Sequence, residues 1–128
     1  MAAAAITMGV TMSDKSGDGL SQEEAARKAE ADRKRLDEMR SQMVAIKIKE
    51  ERTFKKMSQD DVADAAGLKR WNVGDVEQNR SMALPTLWRI CDAMEINLSV
   101  ILSRVDRAIK EREEERRLGL VSDPESDA

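Results

Sequence analysis

The run from Ser58 to Asn79, SQDDVADAAGLKRWNVGDVEQN, constrains this chain more than any other part of it. Ser58 stands three residues before Asp61, the spacing at which a hydroxyl and a carboxylate close the first turn of a helix reciprocally. Val62, Ala63 and Ala66 follow at helical spacing and define an inner face. Gly67 offers the left-handed conformation that ends such a helix. A second short helix is predicted over Lys69 to Gln78, with Val73 and Val76 inward. Ala63, Ala66 and Gly67 keep the corner small, so that two helix backbones can approach there. The unit is a pair of short helices set at an angle by one glycine.

The rest of the chain is compatible with helices alone. Aromatic residues make up only 2% of the 128 residues, and Tyr and His are absent. A core must then be built from Leu, Ile, Val, Met and Ala, and the period-two alternation of strands is missing. Ser21 and Glu24 form a second capping box. No Gly or Pro follows it before Lys55. Ala25, Ala29, Leu36, Met39, Met43 and Ile46 recur at steps of three or four, or multiples of them. The first half of this stretch is nearly all charge and Ala, which predicts an exposed helical extension running into a core-forming helix at about 40 to 55. Leu84 and Pro85 open a fourth helix, Pro being suited to a first turn. Its core stripe is Leu87, Ile90, Cys91 and Met94. Asn97 caps a fifth helix carrying Leu98, Ile101, Leu102, Val105 and Ile109. The following KEREEERR is expected to be solvated and to fray. Residues 1–20 and 119–128 lack periodicity and read as a disordered leader and a disordered acidic tail.

Charge and chemistry narrow the function. The net charge of −3 is not that of a sequence-blind polyanion binder. One cysteine, Cys91, excludes an intrachain disulfide and fits a reducing compartment. Without His, and with one Cys, neither a zinc site nor His-based catalysis has its residues. No Gly-rich phosphate loop and no carboxylate pair set apart from surface charge appear, so no enzyme, cofactor or metal is expected. The start MAAAAITMGVTM has no positive leader region and is too short to cross a bilayer. A soluble, cytoplasmic protein is expected. The oxygen-rich run Asp14, Ser16, Asp18, Gly19 is reminiscent of a calcium loop, but Leu20 and Glu24 fall one residue early for it and no entering helix precedes it. A leader ending in a helix cap accounts for it better.

The register resembles the phage repressor/Cro-type helix-turn-helix family, also called XRE-like, over about Gln42 to Leu102. The residues that carry the likeness are Ser58-Gln59, Val62-Ala63, Gly67, Val73, Val76-Glu77, Leu84, Thr86-Leu87, Ile90-Cys91, Met94, Ile96, Asn97-Leu98 and Ile101-Leu102. Val44, Ile48 and Arg52 fall on the family's first-helix pattern without gaps. The resemblance implies an all-α, five-helix DNA-binding domain at 41–103. Charged helical extensions at 21–40 and 104–118 would flank it. It further implies that Arg52 and Glu77 clip the first helix to the recognition helix. Four positions depart from the family. Lys56 and Asn79 stand where Gly is usual, and Asn takes the left-handed conformation more readily than Lys. Trp71 replaces a small or polar residue, and Asp75 stands where Arg, Lys or Gln is common.

The resemblance also implies a sequence-specific transcriptional regulator, acting as a repressor, that inserts the helix 69–78 in the major groove of double-stranded DNA. Lys69 and Arg70 lie in the first turn, and Arg reads guanine O6 and N7 with two hydrogen bonds. Gln59 resembles the family Gln that touches the DNA backbone and buttresses the reading side chain. Trp71 would pack on a thymine methyl or a sugar. Asn72 and Arg80 would reach phosphate. Asp75 would accept from cytosine N4 or pair with a neighbouring cation. Between Ser41 and Ser103 there are nine cations and nine acids. One copy can therefore neutralise few phosphates, and a homodimer on a two-fold site is expected. Either extension can serve it, with Leu98, Ile101, Leu102, Val105 and Ile109 reaching a partner. A second function class fits the same residues. In that class the domain is an adaptor or antitoxin-like module whose charged helical extensions bind a protein partner.

Overall fold

In a computed structural model of the chain, residues 21–120 are described. The leader, with its Asp14 to Asp18 run, and the tail from Val121 onward lie outside them. The described residues form five helices and no strand: α1 Gln22–Phe54, α2 Gln59–Ala66, α3 Arg70–Glu77, α4 Leu84–Ala93 and α5 Leu98–Arg117. The chain divides into two compact units, 1–37 and 38–128.

The described part of the first unit is the opening of α1. Ser21 N–H donates to Glu24 Oε1 at 3.0 Å, and Glu24 N–H donates to Ser21 Oγ at 3.0 Å. Residues 22–34 are all exposed. Short-range ion pairs such as Lys28 with Asp32 and Arg33 with Glu30 lie along this surface. Pairs of this kind contribute only tenths of a kcal/mol each, ~0.3–0.5.

The second unit holds the core. Ile48, Val62, Val73, Val76, Ile90, Cys91 and Ile101 are wholly excluded from solvent, with Ala45, Ala63, Met94 and Val105 nearly so. The core is entirely aliphatic and sulfur-containing. All three aromatics of the chain stand outside it: Phe54 is 78% exposed, Trp71 64% and Trp88 51%.

Local chemistry sets the boundaries. Ser58 N–H donates to Asp61 Oδ2 at 2.8 Å and Asp61 N–H to Ser58 Oγ at 3.0 Å, which opens α2. Gly67, at φ +70°, closes it, and Leu68 N–H returns to the Ala63 carbonyl at 2.9 Å. A Cβ on Gly67 would meet nothing within 4 Å. The expectation that Gly67 makes room for close backbones is therefore corrected: the glycine is needed for its φ, and Ala63 provides the small buried contact. Lys69 and Gln78, expected inside the third helix, are its N-cap and C-cap.

Among the described residues, three non-glycine residues have positive φ: Lys56, Asn79 and Glu95, each at 58°. Each follows the end of a helix, where a left-handed residue turns the chain away. Lys56 and Asn79 are the two positions at which the family carries Gly. Two further expectations need correction. Asn97 occupies the N-cap of α5, but its side chain makes no capping hydrogen bond. The KEREEERR segment does not fray; α5 stays helical to Arg117.

Candidate nucleic-acid interface

The geometry of the exposed helix begins with a partly buried arginine. Arg52, near the end of α1, donates from Nε to Glu77 Oε2 at 2.5 Å and from Nη2 to Glu77 Oε1 at 3.0 Å. Its Nη1 donates to the Met57 carbonyl at 2.8 Å. Glu77, the last residue of α3, keeps only 3% of its side chain exposed, and Arg52 12%. The hydrogen bond to Glu77 raises the Arg52 pKa above its ordinary value, against the opposing effect of burial. Gln59, at the start of α2, joins them: its Nε2 donates to Glu77 Oε1 at 3.0 Å. One carboxylate thus ties α1, α2 and α3 together. One of the two amide N–H groups of Gln59 is thus turned onto Glu77.

With its inner side held this way, α3 turns the other side to solvent. Val73 and Val76 are fully buried, while Lys69, Arg70 and Trp71 are exposed. Arg70 lies 3.9 Å from Asp60, both about two-thirds exposed. Arg80, 69% exposed, lies 3.8 Å from Asp75. Long, open pairs of this kind contribute little and give way to a competing anion. Asp75 is half-buried beside Arg80, the pairing that the sequence left open as an alternative to base reading. Asn72 Oδ1 is buried without a hydrogen-bond partner, so only its Nδ2 could serve the phosphate contact expected of it.

A second charged cluster was not legible in the sequence as a unit. Glu51 is 6% exposed and accepts from Arg104 Nη1 of α5 at 2.7 Å. Lys55 Nζ stands 3.5 Å from Glu51 and donates to the Met94 carbonyl at the end of α4 at 2.6 Å. A cation there meets the negative end of the helix dipole. Only the Glu51–Lys55 spacing of four could have signalled any of this, because Arg104 lies 53 residues away.

The expected partner-facing stripe on α5 is also corrected. Leu98, Ile101, Val105 and Ile109 are buried in the chain's own fold. Leu102 is 40% exposed and stands with Trp88 at a shallow crevice that Asp92, Asn97 and Ser99 also line. Leu84, 49% exposed, is a further open apolar side chain on α4. Among the described residues no cluster of metal-binding side chains occurs, and no helix is long and apolar enough to cross a membrane.

Comparison with known proteins agrees with this geometry. A family model described as helix-turn-helix matches residues 48–101. No curated protein sequence matches the chain. Among solved structures, the wild-type restriction-modification controller protein C.Esp1396I is similar at 25% identity and a TM-score of 0.53, over 56% of this chain and 95% of that one. A single-residue mutant of that controller protein is similar at 27% identity and a TM-score of 0.52, over 55% of this chain and 92% of that one. Residues 48–101 are a DNA-binding helix-turn-helix domain of the repressor/Cro, or XRE-like, family.

Proposed function

We propose that the protein is a sequence-specific transcriptional regulator of the cytoplasm that docks α3 in the major groove of double-stranded DNA and works as a homodimer. The observation that carries this reading is the posture of α3. Its valines and Glu77 are locked inward, and its first turn offers Lys69, Arg70 and Trp71 to solvent. In this reading Lys69 and Arg70 approach base edges, with Arg70 suited to guanine. Arg80, beyond the end of α3, meets phosphate. Gln59 helps to fix α3 through Glu77, and its remaining amide N–H and the Asn72 Nδ2 are the donors that would meet phosphate. Asp75 restrains Arg80 in the free protein and reads cytosine N4 only if that pair opens.

Dimerisation follows from the balance of charge. Few phosphates can be neutralised by one copy, so affinity depends on pairing two half-sites. The exposed Trp88 and Leu102 supply an apolar face for a second copy. Occupying an operator excludes other proteins from it, hence a repressor rather than an enzyme. An adaptor reading draws support from the exposed charge of residues 22–34, which no DNA contact requires. Selection of bound duplexes from a random pool at two salt concentrations tests both. A palindromic winner supports the regulator and its dimer. Absence of enrichment favours the adaptor.

A further inference from the structure

Trp71 is a costly residue to leave in water, and its own fold leaves most of it uncovered. It is 64% exposed in a chain whose core contains no aromatic side chain at all. Gly74, one turn further along α3, carries no side chain, and a Cβ there would meet only Gln59 Oε1 at 3.7 Å. Asp75, the other neighbour one turn on, is drawn to Arg80. The indole is thus exposed at the start of α3, next in sequence to the exposed Lys69 and Arg70.

The floor of the major groove presents hydrogen-bonding groups at every base pair and one apolar feature, the C5-methyl of a pyrimidine. A sugar or a phosphate lies on the groove wall, where Arg70 and Arg80 already suit the charge. An indole has one N–H and no formal charge, so its large apolar surface gains most from the methyl group. On the reading of α3 as the DNA-docking helix, we propose that Trp71 is a specificity-determining residue that reads the C5-methyl group of a pyrimidine, thymine in unmodified DNA, once in each half-site. Arg70 beside it would supply the hydrogen-bonding part of the same readout.

Deoxyuridine in place of thymine removes that methyl and nothing else, which makes the inference separable from DNA binding as such. The duplex recovered by selection is scanned with single thymine-to-uracil replacements, and binding is followed by fluorescence anisotropy for the wild type and for Trp71→Ala. One thymine per half-site should lose about four-fold in affinity, from about 0.8 kcal/mol per buried methylene-sized group and 1.4 kcal/mol per tenfold. In Trp71→Ala, which should fold normally because the side chain is exposed, that sensitivity should vanish while weaker specific binding persists. At the same position 5-methylcytosine should bind better than cytosine. Tighter binding of thymine than of 5-methylcytosine assigns the natural source of the methyl to thymine, and the reverse order assigns it to a methylated cytosine and overturns thymine as the target. Wild-type protein that binds its duplex but ignores every uracil overturns the inference and leaves the DNA-binding function standing. Sensitivity that survives in Trp71→Ala also overturns it, since another group then reads the methyl. Failure to enrich any duplex overturns the docking of α3 itself.

Discussion

Arg52 and Glu77, 25 residues apart in sequence, meet through two parallel N–H···O bonds of 2.5 and 3.0 Å with little solvent around them. The pair joins the end of α1 to the end of α3, and through the Met57 carbonyl and Gln59 it also fixes the entry to α2. Removing one member strands the other charge. Glu77→Ala or Arg52→Ala should lower stability by about 3–5 kcal/mol in urea titrations. Arg52→Lys should rescue little, because a single ammonium cannot reproduce the planar fork. An apolar pair of similar volume at both positions should restore much of the stability.

The three left-handed residues are a reserve of stability. Lys56 and Glu95 adopt φ 58° with a β-carbon, a conformation that costs about 1–2 kcal/mol for most residues and little for glycine. Lys56→Gly and Glu95→Gly should each raise the melting temperature, by about 0.5–1 kcal/mol of stability after the added freedom of the unfolded chain is counted. Asn79→Gly should gain less, because Asn tolerates this region. Calorimetry of the three single variants checks the order.

Cys91 is fully buried, and burial, aided by the charges of Asp92 and Glu51, pushes its thiol from 9.0 to about 11. The unfolded chain therefore releases this proton first. Between about pH 9 and 11 the unfolded state binds fewer protons than the folded one, and stability falls as pH rises. The contribution is fully present below pH 9 and amounts to roughly 2–3 kcal/mol lost by pH 11. The difference in stability between wild type and Cys91→Ala, measured at pH 8 and pH 10.5, should shift by roughly 2 kcal/mol toward the variant. At pH 7.5 the native thiol should resist alkylating reagents and react only on unfolding.

Arg70 and Arg80 are equally exposed but should fail differently. Arg70→Ala should cost about 1–3 kcal/mol on the best duplex and relax preference at one base pair. Arg80→Ala should weaken all duplexes alike and reduce the slope of log affinity against log salt by about one. Titrations of specific and scrambled duplexes at several salt concentrations distinguish the two patterns. Identical behaviour of both variants and wild type would remove DNA docking through this face.

Leu102→Asp should convert the proposed dimer to a monomer, read by sedimentation, while leaving the helical content unchanged because the side chain is already open to water. Affinity for a two-half-site duplex should fall far more than affinity for a single half-site.

Much of this protein is written within four-residue windows, and those parts are readable without a structure. Ser21 with Glu24, Ser58 with Asp61, Gly67 after Ala66 and Pro85 after Leu84 start or stop helices through contacts between near neighbours, so their outcome depends little on the rest of the chain. The buried stripes of α2, α3 and α4 follow from helical periodicity for the same reason. The resemblance marked Arg52, Glu77, Lys56 and Asn79, but nothing local distinguishes Glu95 as a third left-handed residue. Tertiary packing decided the remainder. It brought Glu51 to Arg104 and Lys55 to the end of α4, and it turned one amide N–H of Gln59 onto Glu77. It also left Leu102 outside while Leu98, Ile101, Val105 and Ile109 went in. A side chain's partner across dozens of residues is set by where the helices come to rest, and that position is the sum of the whole core rather than of any one segment.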